Sequence, residues 1–270
     1  MSTNENKYGF IGCGNMGGIL ALGCAEVMGS HTLLCDRSAE KTAAIAEKTG
    51  ARTADLSEIA ATCRYIFLGV KPQVLPQLAE DLRPLLEKRE ERAVIISMAA
   101  GVEIFTLERL LGDLPVIRIM PNTTAKVGKA VIPYCQNELV TEEDVDALKE
   151  ALPVGRLDAI SEGQMDAASA LSGCGPAFVY MFIEALADGG VKCGLPRDKA
   201  IDYAAQTVLG SAEMVRMTDA HTSQLKDAVC SPGGSTIAGV HALENAAFRG
   251  AVMDAVTAAF RRTKELGENK

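Results

Sequence analysis

Tryptophan is absent from this 270-residue chain, and aromatic residues together make up only 4% of it. A surface that stacks bases or sugars on aromatic rings is therefore not expected. Histidine is scarce at 3 residues, and the 8 cysteines include no Cys-x-x-Cys pair. Zinc sites draw on clustered thiolates and imidazoles, so no metal is expected. The scattered Cys13, Cys24, Cys35, Cys63, Cys135, Cys174, Cys193 and Cys230 read instead as small buried hydrophobes in a reducing compartment. Positive charge is short as well: 27 Lys+Arg against 35 Asp+Glu give a net charge of −8. That argues against nucleic-acid or anionic-membrane partners, which need a basic face. No uninterrupted apolar run reaches membrane-spanning length, because the stretch Phe178–Ile183 soon meets Glu184 and Asp188. Ser2–Lys7 is polar and lacks the layout of a signal peptide, so a soluble cytoplasmic protein is expected.

What is present suits a globular protein of two domains: 48% hydrophobic residues, 25 Gly and 10 Pro in 270. Short apolar runs at Tyr8–Ile11, Thr32–Cys35, Tyr65–Val70, Ala93–Met98, Val116–Ile119 and Ala130–Tyr134 predict strands. Most are continuous, as strands buried on both faces require. Between them Gly17–Met28, Ser38–Thr49, Leu56–Cys63, Val74–Lys88 and Ile104–Leu111 predict helices, and Thr141 with the acids after it caps another through Ala151. This alternation predicts an α/β fold with a doubly wound parallel sheet over residues 1–163. Residues 164–270 change character to Ala-rich helices: Met165–Gly189, interrupted at Gly173-Cys174-Gly175-Pro176, then Pro196–Met217, Thr222–Cys230, Ile237–Phe248 and Ala251–Leu266. A short all-helical domain, apolar on more than one face, is expected to complete its burial against a second copy.

Two stretches carry chemistry. Phe10-Ile11-Gly12-Cys13-Gly14-Asn15-Met16-Gly17 is a G-x-G-x-x-G between a strand and a helix. Such glycines allow a tight turn, the approach of a pyrophosphate and close strand–helix packing, while the helix start offers free N–H groups to an anion. Asp36 follows 24 residues after Gly12, close to the offset of a ribose-binding carboxylate, which favours NADH. Arg37 and Ser38 come next, and a guanidinium with a hydroxyl can hold the 2′-phosphate of NADPH. The two signals conflict, and both cofactors stay open with a lean to NADPH. Val70-Lys71-Pro72, Met98-Ala99-Ala100 and Met120-Pro121-Asn122 close later strands, on the edge where such sheets bind ligands. The second stretch is Leu225-Lys226-Asp227-Ala228-Val229-Cys230-Ser231-Pro232-Gly233-Gly234-Ser235-Thr236, helix, Gly-rich turn and new helix. Gly233, Gly234 and the helix start can cradle a carboxylate, and Ser231, Ser235 and Thr236 add hydroxyls. A capped interhelical turn is the alternative. His31 and His221 stand before a strand and a helix, and His241 lies one turn past Thr236.

The second stretch, continuing through Ile237-Ala238-Gly239, Leu243-Glu244 and Phe248-Arg249, resembles the signature of pyrroline-5-carboxylate reductases. The resemblance spans the chain and includes the Gly-rich loop, Val70-Lys71-Pro72, Ala99-Ala100-Gly101, Met120-Pro121-Asn122-Thr123, Leu171–Ala177 and Ala187–Pro196. It implies reduction of 1-pyrroline-5-carboxylate to L-proline with NAD(P)H, the last step of proline synthesis. It also implies a Rossmann domain followed by a helical dimerisation domain, with dimers that assemble further in many members. By the same resemblance Ile11, Gly12, Cys13, Gly14, Asn15 and Met16 take the pyrophosphate and Arg37 the adenosine end, where the offset of Asp36 from the loop also places that carboxylate. Val70, Lys71 and Pro72, then Met98, Ala99 and Ala100, line the rest of the cofactor, and Glu162 stands near the nicotinamide. Gly233, Gly234, Ser235 and Thr236 hold the substrate carboxylate, with Thr236 and Ser231 as the catalytic hydroxyls and Thr236 on the ring nitrogen. The chain departs from the family at Asp36, at Asp55-Leu56, at Ala228 and at Thr124. A β-hydroxyacid dehydrogenase shares the plan but needs a lysine acting with a nearby Asn, and around Lys192 and Lys199 that Asn is missing. A dinucleotide-binding regulator would have no use for the carboxylate turn.

Overall fold

The computed structural model describes residues 7–268. Eight strands, β1 (Tyr8–Ile11), β2 (Thr32–Cys35), β3 (Arg52–Thr53), β4 (Tyr65–Leu68), β5 (Val94–Ser97), β6 (Val116–Ile119), β7 (Ala130–Gln136) and β8 (Gly155–Ala159), form one sheet in the order β3-β2-β1-β4-β5-β6-β7-β8. Six helices belong with them: α1 (Asn15–Met28), α2 (Ala39–Thr49), α3 (Leu56–Thr62), α4 (Leu75–Leu86), α5 (Ile104–Leu111) and α6 (Glu142–Ala151). The rest of the chain is α7 (Met165–Ala168), α8 (Gly175–Lys192), α9 (Arg197–Met217), α10 (Thr222–Ala228), α11 (Ser235–Asn245) and α12 (Phe248–Glu268). The chain divides into two compact units, one running to Gly173 and resuming at Phe260, the other Cys174–Ala259.

The strands of the first unit alternate their side chains between two cores. Phe10, Tyr65, Phe67, Val94 and Ile96 join one cluster with Leu20 and Cys24 of α1 and Leu148 of α6. Ile66, Leu68 and Ile95 join the other with Ile59, Leu82 and Leu107 of α3, α4 and α5. Phe10 and Phe67 stack at 4.2 Å across β1 and β4. Both faces being covered explains why these strands read as unbroken apolar runs. The sheet departs from the expected all-parallel arrangement at one edge, where β7 runs antiparallel to β6 while β8 is parallel to β7. Between β6 and β7 there is only a 3₁₀ turn, Thr123–Val127, too little chain for a crossover; α6 supplies one between β7 and β8. The strands β3 and β8 were not expected, the first being two exposed residues and the second a polar edge.

Thr141 caps α6 in a reciprocal box with Asp144, whose carboxylate also accepts from Arg64 (2.9 Å) and the Tyr65 hydroxyl (3.2 Å). Burial pushes the Asp144 carboxyl up, but the N–H and hydroxyl of Thr141 and the Arg64 guanidinium outweigh it and hold the pKa below the usual range. All eight cysteines are free, and burial pushes the thiols of Cys13 and Cys24 up to about 12 and those of Cys63 and Cys135 to about 11.

The second unit is different in kind. Its buried side chains, among the described residues, are Ala187, Ala200 and Ala204, where α8 packs on α9 with Ile183 and Val191. Tyr180, Met181, Leu209 and Met217 are more than half exposed. The helical stretch Glu162–Lys192 reaches a mean hydropathy of 1.4, long and apolar enough by composition to cross a membrane. The uninterrupted apolar run within it stays short, because Glu184 and Asp188 both stand inside α8.

Candidate functional site

The strand order reverses direction between β1 and β4, and it is outside the carboxyl ends of strands at such a point that open α/β sheets bind ligands. Three glycine backbones meet there. A Cβ on Gly12 would lie 2.8 Å from the carbonyl of Gly69, and one on Gly17 would strike the carbonyl oxygen of Gly12. Gly12 also has φ +95°, a region closed to most side chains. These two glycines are thus required by the protein's own packing. Gly14 is not: a Cβ there would meet nothing within 4 Å. Above it is open space, and α1 starts at Gly14 with no side-chain cap and no acid in its first turn. Its free N–H groups and positive dipole end suit a pyrophosphate. The residues present therefore fit a dinucleotide.

Around this loop the structure brings together the other expected cofactor residues of the first unit. The N–H of Gly69 donates to Ile11 (2.8 Å), seating Val70, Lys71 and Pro72 directly after β4, with Lys71 exposed. Ala99 is buried after β5, while Met98 is half-buried and Ala100 exposed. Asp36 accepts from the N–H of Cys13 (2.7 Å) and of Ser38 (2.8 Å), and Arg37 beside it is exposed. Asp55, at a position where the chain departs from the resemblance, caps α3 by accepting from the N–H of Glu58 (2.7 Å). The hydrogen bond from Ser57 and then that N–H hold its carboxyl below the usual range. Asn122, after β6, donates to the Ser172 carbonyl (2.8 Å) and accepts from the Thr124 hydroxyl (2.6 Å). Ser172 lies in a π-helical turn, Ser169–Gly173.

Glu162 is tied down rather than free. Its Oε1 accepts from the N–H of Ile104, at the start of α5 (2.8 Å), and from Arg118 (3.1 Å). Arg118, 3% exposed and also 3.8 Å from Asp166, was missed by sequence reasoning. Its signal was an arginine inside the apolar run Val116–Ile119. Arg118, Glu162, Asp166, Pro72 and Gly101 share the wall of a cavity of about 1050 Å³.

In the second unit, Gly233 turns the chain with φ +70° between α10 and α11. The Gly234 N–H donates to the Ser231 carbonyl (3.0 Å), and a Cβ on Gly234 would strike the Ser231 hydroxyl, so that hydroxyl is folded against its own turn. Ser235 and Thr236 are exposed in the first turn of α11, which has no side-chain cap and no acid. Gly233, Gly234, Ile237 and His241 line a cavity of about 580 Å³. His241 pairs with Asn245 one turn on (3.1 Å), and His221 caps α10 by accepting from the Ser223 N–H (3.2 Å). Among the described residues no group of three or more His, Cys, Asp or Glu side chains could hold a metal.

Residues 162–266 match the family described as pyrroline-5-carboxylate reductase dimerisation, and residues 7–101 match NADP oxidoreductase coenzyme F420-dependent. The chain is 40% identical over 268 residues to the pyrroline-5-carboxylate reductase of Pisum sativum, covering 98% of this chain and 97% of the relative. It is 40% identical over 273 residues to that of Escherichia coli (strain K12), covering 98% and 100%. Among solved structures, the Plasmodium falciparum pyrroline carboxylate reductase with NADP bound is 35% identical with a TM-score of 0.87, covering 98% of this chain and all of that one. With the motifs of both units matched along almost its entire length, the chain belongs to the pyrroline-5-carboxylate reductase family.

Proposed function

We propose that this chain reduces 1-pyrroline-5-carboxylate to L-proline with NADPH, the final step of proline biosynthesis, as a cytoplasmic enzyme. The observation that carries this reading is the presence, in one chain matching its relatives end to end, of two uncapped helix starts behind Gly-rich turns, one at Gly14 and one at Gly234. Ile11–Met16, Arg37, Val70–Pro72 and Met98–Ala100 hold the cofactor, and Glu162 is kept near it by Arg118. The exposed Arg37 and the NADP bound to the Plasmodium falciparum relative favour NADPH over NADH. Residues 1–163 serve the cofactor. Residues 164–270 serve the substrate and the contact between copies, forming a homodimer able to associate into a larger assembly.

When bound, the nicotinamide supplies the hydride that reaches C5 of the substrate ring. The N–H groups at Ser235 and Thr236 hold the substrate carboxylate, Gly233 and Gly234 open the turn in front of them, and the Gly234 N–H on the Ser231 carbonyl keeps that turn in shape. The Thr236 hydroxyl orients the ring nitrogen, which carries its proton on arrival, so no strong acid is needed at the turn. The chain's work is chiefly positioning. Thr236→Ala lowers kcat/KM by roughly 10- to 1000-fold, as loss of one oriented hydrogen-bonding group does. The assay follows nicotinamide absorbance with pyrroline-5-carboxylate and NADPH and identifies proline as product; unchanged kcat/KM in the variant removes Thr236 from the mechanism.

A further inference from the structure

We propose that Asp36 is a positioning residue that shapes the dinucleotide loop and does not select between NADPH and NADH. This inference rests on the dinucleotide reading of that loop. A carboxylate at the end of the second strand ordinarily accepts from the ribose hydroxyls and repels a 2′-phosphate. Here it is engaged by the protein. The ladder between β1 and β2 ends with the Gly12 N–H donating to the Cys35 carbonyl (2.8 Å). The next N–H, that of the buried Cys13, has run past the last strand residue of β2, and Asp36 Oδ2 receives it at 2.7 Å. Oδ1 receives the Ser38 N–H at 2.8 Å, just before α2. Each oxygen thus takes a backbone donor, and the side chain extends the ladder by one rung, bracing the Gly-rich loop against the start of α2. A buried N–H left without an acceptor is costly, so the loop's shape depends on this carboxylate. Arg37, exposed and without an ion-pair partner among the described residues, is a positive charge free to meet a 2′-phosphate, with the exposed Lys41 of α2 close enough to act on Cys13 of the same loop.

The test measures dissociation constants of NADP⁺ and NAD⁺ by titration calorimetry on the full-length wild type, Asp36→Ala and Asp36→Asn, with steady-state kinetics alongside. Asp36→Ala is expected to weaken both dinucleotides by about tenfold each, keeping their ratio within about threefold of wild type. KM for the dinucleotide rises while kcat at saturation is kept. Asp36→Asn, which retains one acceptor, falls between, and it decides the matter alone if Asp36→Ala does not fold. A variant that binds NADP⁺ as well as or better than wild type while losing NAD⁺ would make Asp36 a selector and overturn the proposal. So would unchanged binding of both. A wild type that binds neither dinucleotide instead defeats the reading of the loop itself.

Discussion

The first unit buries large side chains on both faces of its sheet, Phe10, Phe67, Leu82 and Ile95 among them, whereas the second buries three alanines and leaves Tyr180, Met181, Leu209 and Met217 more than half exposed. The contrast teaches where each unit gets its stability. Full burial of a Leu or Met side chain contributes roughly 1.5–3 kcal/mol, so the first unit is well supplied by its own residues. A set of helices with so small a core must find its burial elsewhere, and the family's dimerisation domain covers these helices. The apolar stretch Glu162–Lys192 lies within the residues that match that dimerisation domain.

The largest effect that would break this contrast belongs to Leu209→Asp, on α9. Burying an unpaired carboxylate from each copy should weaken the dimer by about 1000-fold or more. Sedimentation velocity would show single chains, with the first unit still folded; a dimer unchanged by the substitution would move the contact off this face. In the first unit Phe67→Ala should cost about 3–5 kcal/mol of unfolding free energy, read by chemical denaturation, while leaving the dimer's mass alone. Glu162→Gln removes the charge opposite the buried Arg118 and should cost about 1–3 kcal/mol, read the same way. The smallest effect concerns pH. Asp144 is held below the usual carboxylate range when folded, so the unfolded chain binds its proton more readily. Its contribution is complete above the unfolded carboxylate pKa and is lost as pH falls through the lowered folded value. Thermal melts below about pH 4 should therefore fall less steeply in Asp144→Asn than in the parent.

What the sequence revealed was local. Gly12 and Gly17 are legible because the requirement for no side chain is a property of the residue, and Thr141 because its cap lies within one turn. Gly233-Gly234 before a helix likewise announces its turn. The partners of Arg118 were hidden, since Glu162 and Asp166 stand more than forty residues away along the chain. The direction of Asp36 was hidden too: the residue type admits either the ribose or the Cys13 N–H, and only the fold chooses. The edge strand β8 escaped because a polar, exposed strand has no apolar pattern to read. The reversal of β7 was implicit in the short link after β6, a matter of chain length rather than of pattern.

The most direct test of the account joins the two units in one experiment: size-exclusion chromatography with in-line light scattering, each fraction assayed for NADPH oxidation driven by pyrroline-5-carboxylate. Activity should elute only with species of two chains or a multiple of two. Full activity in a species of one chain would contradict it.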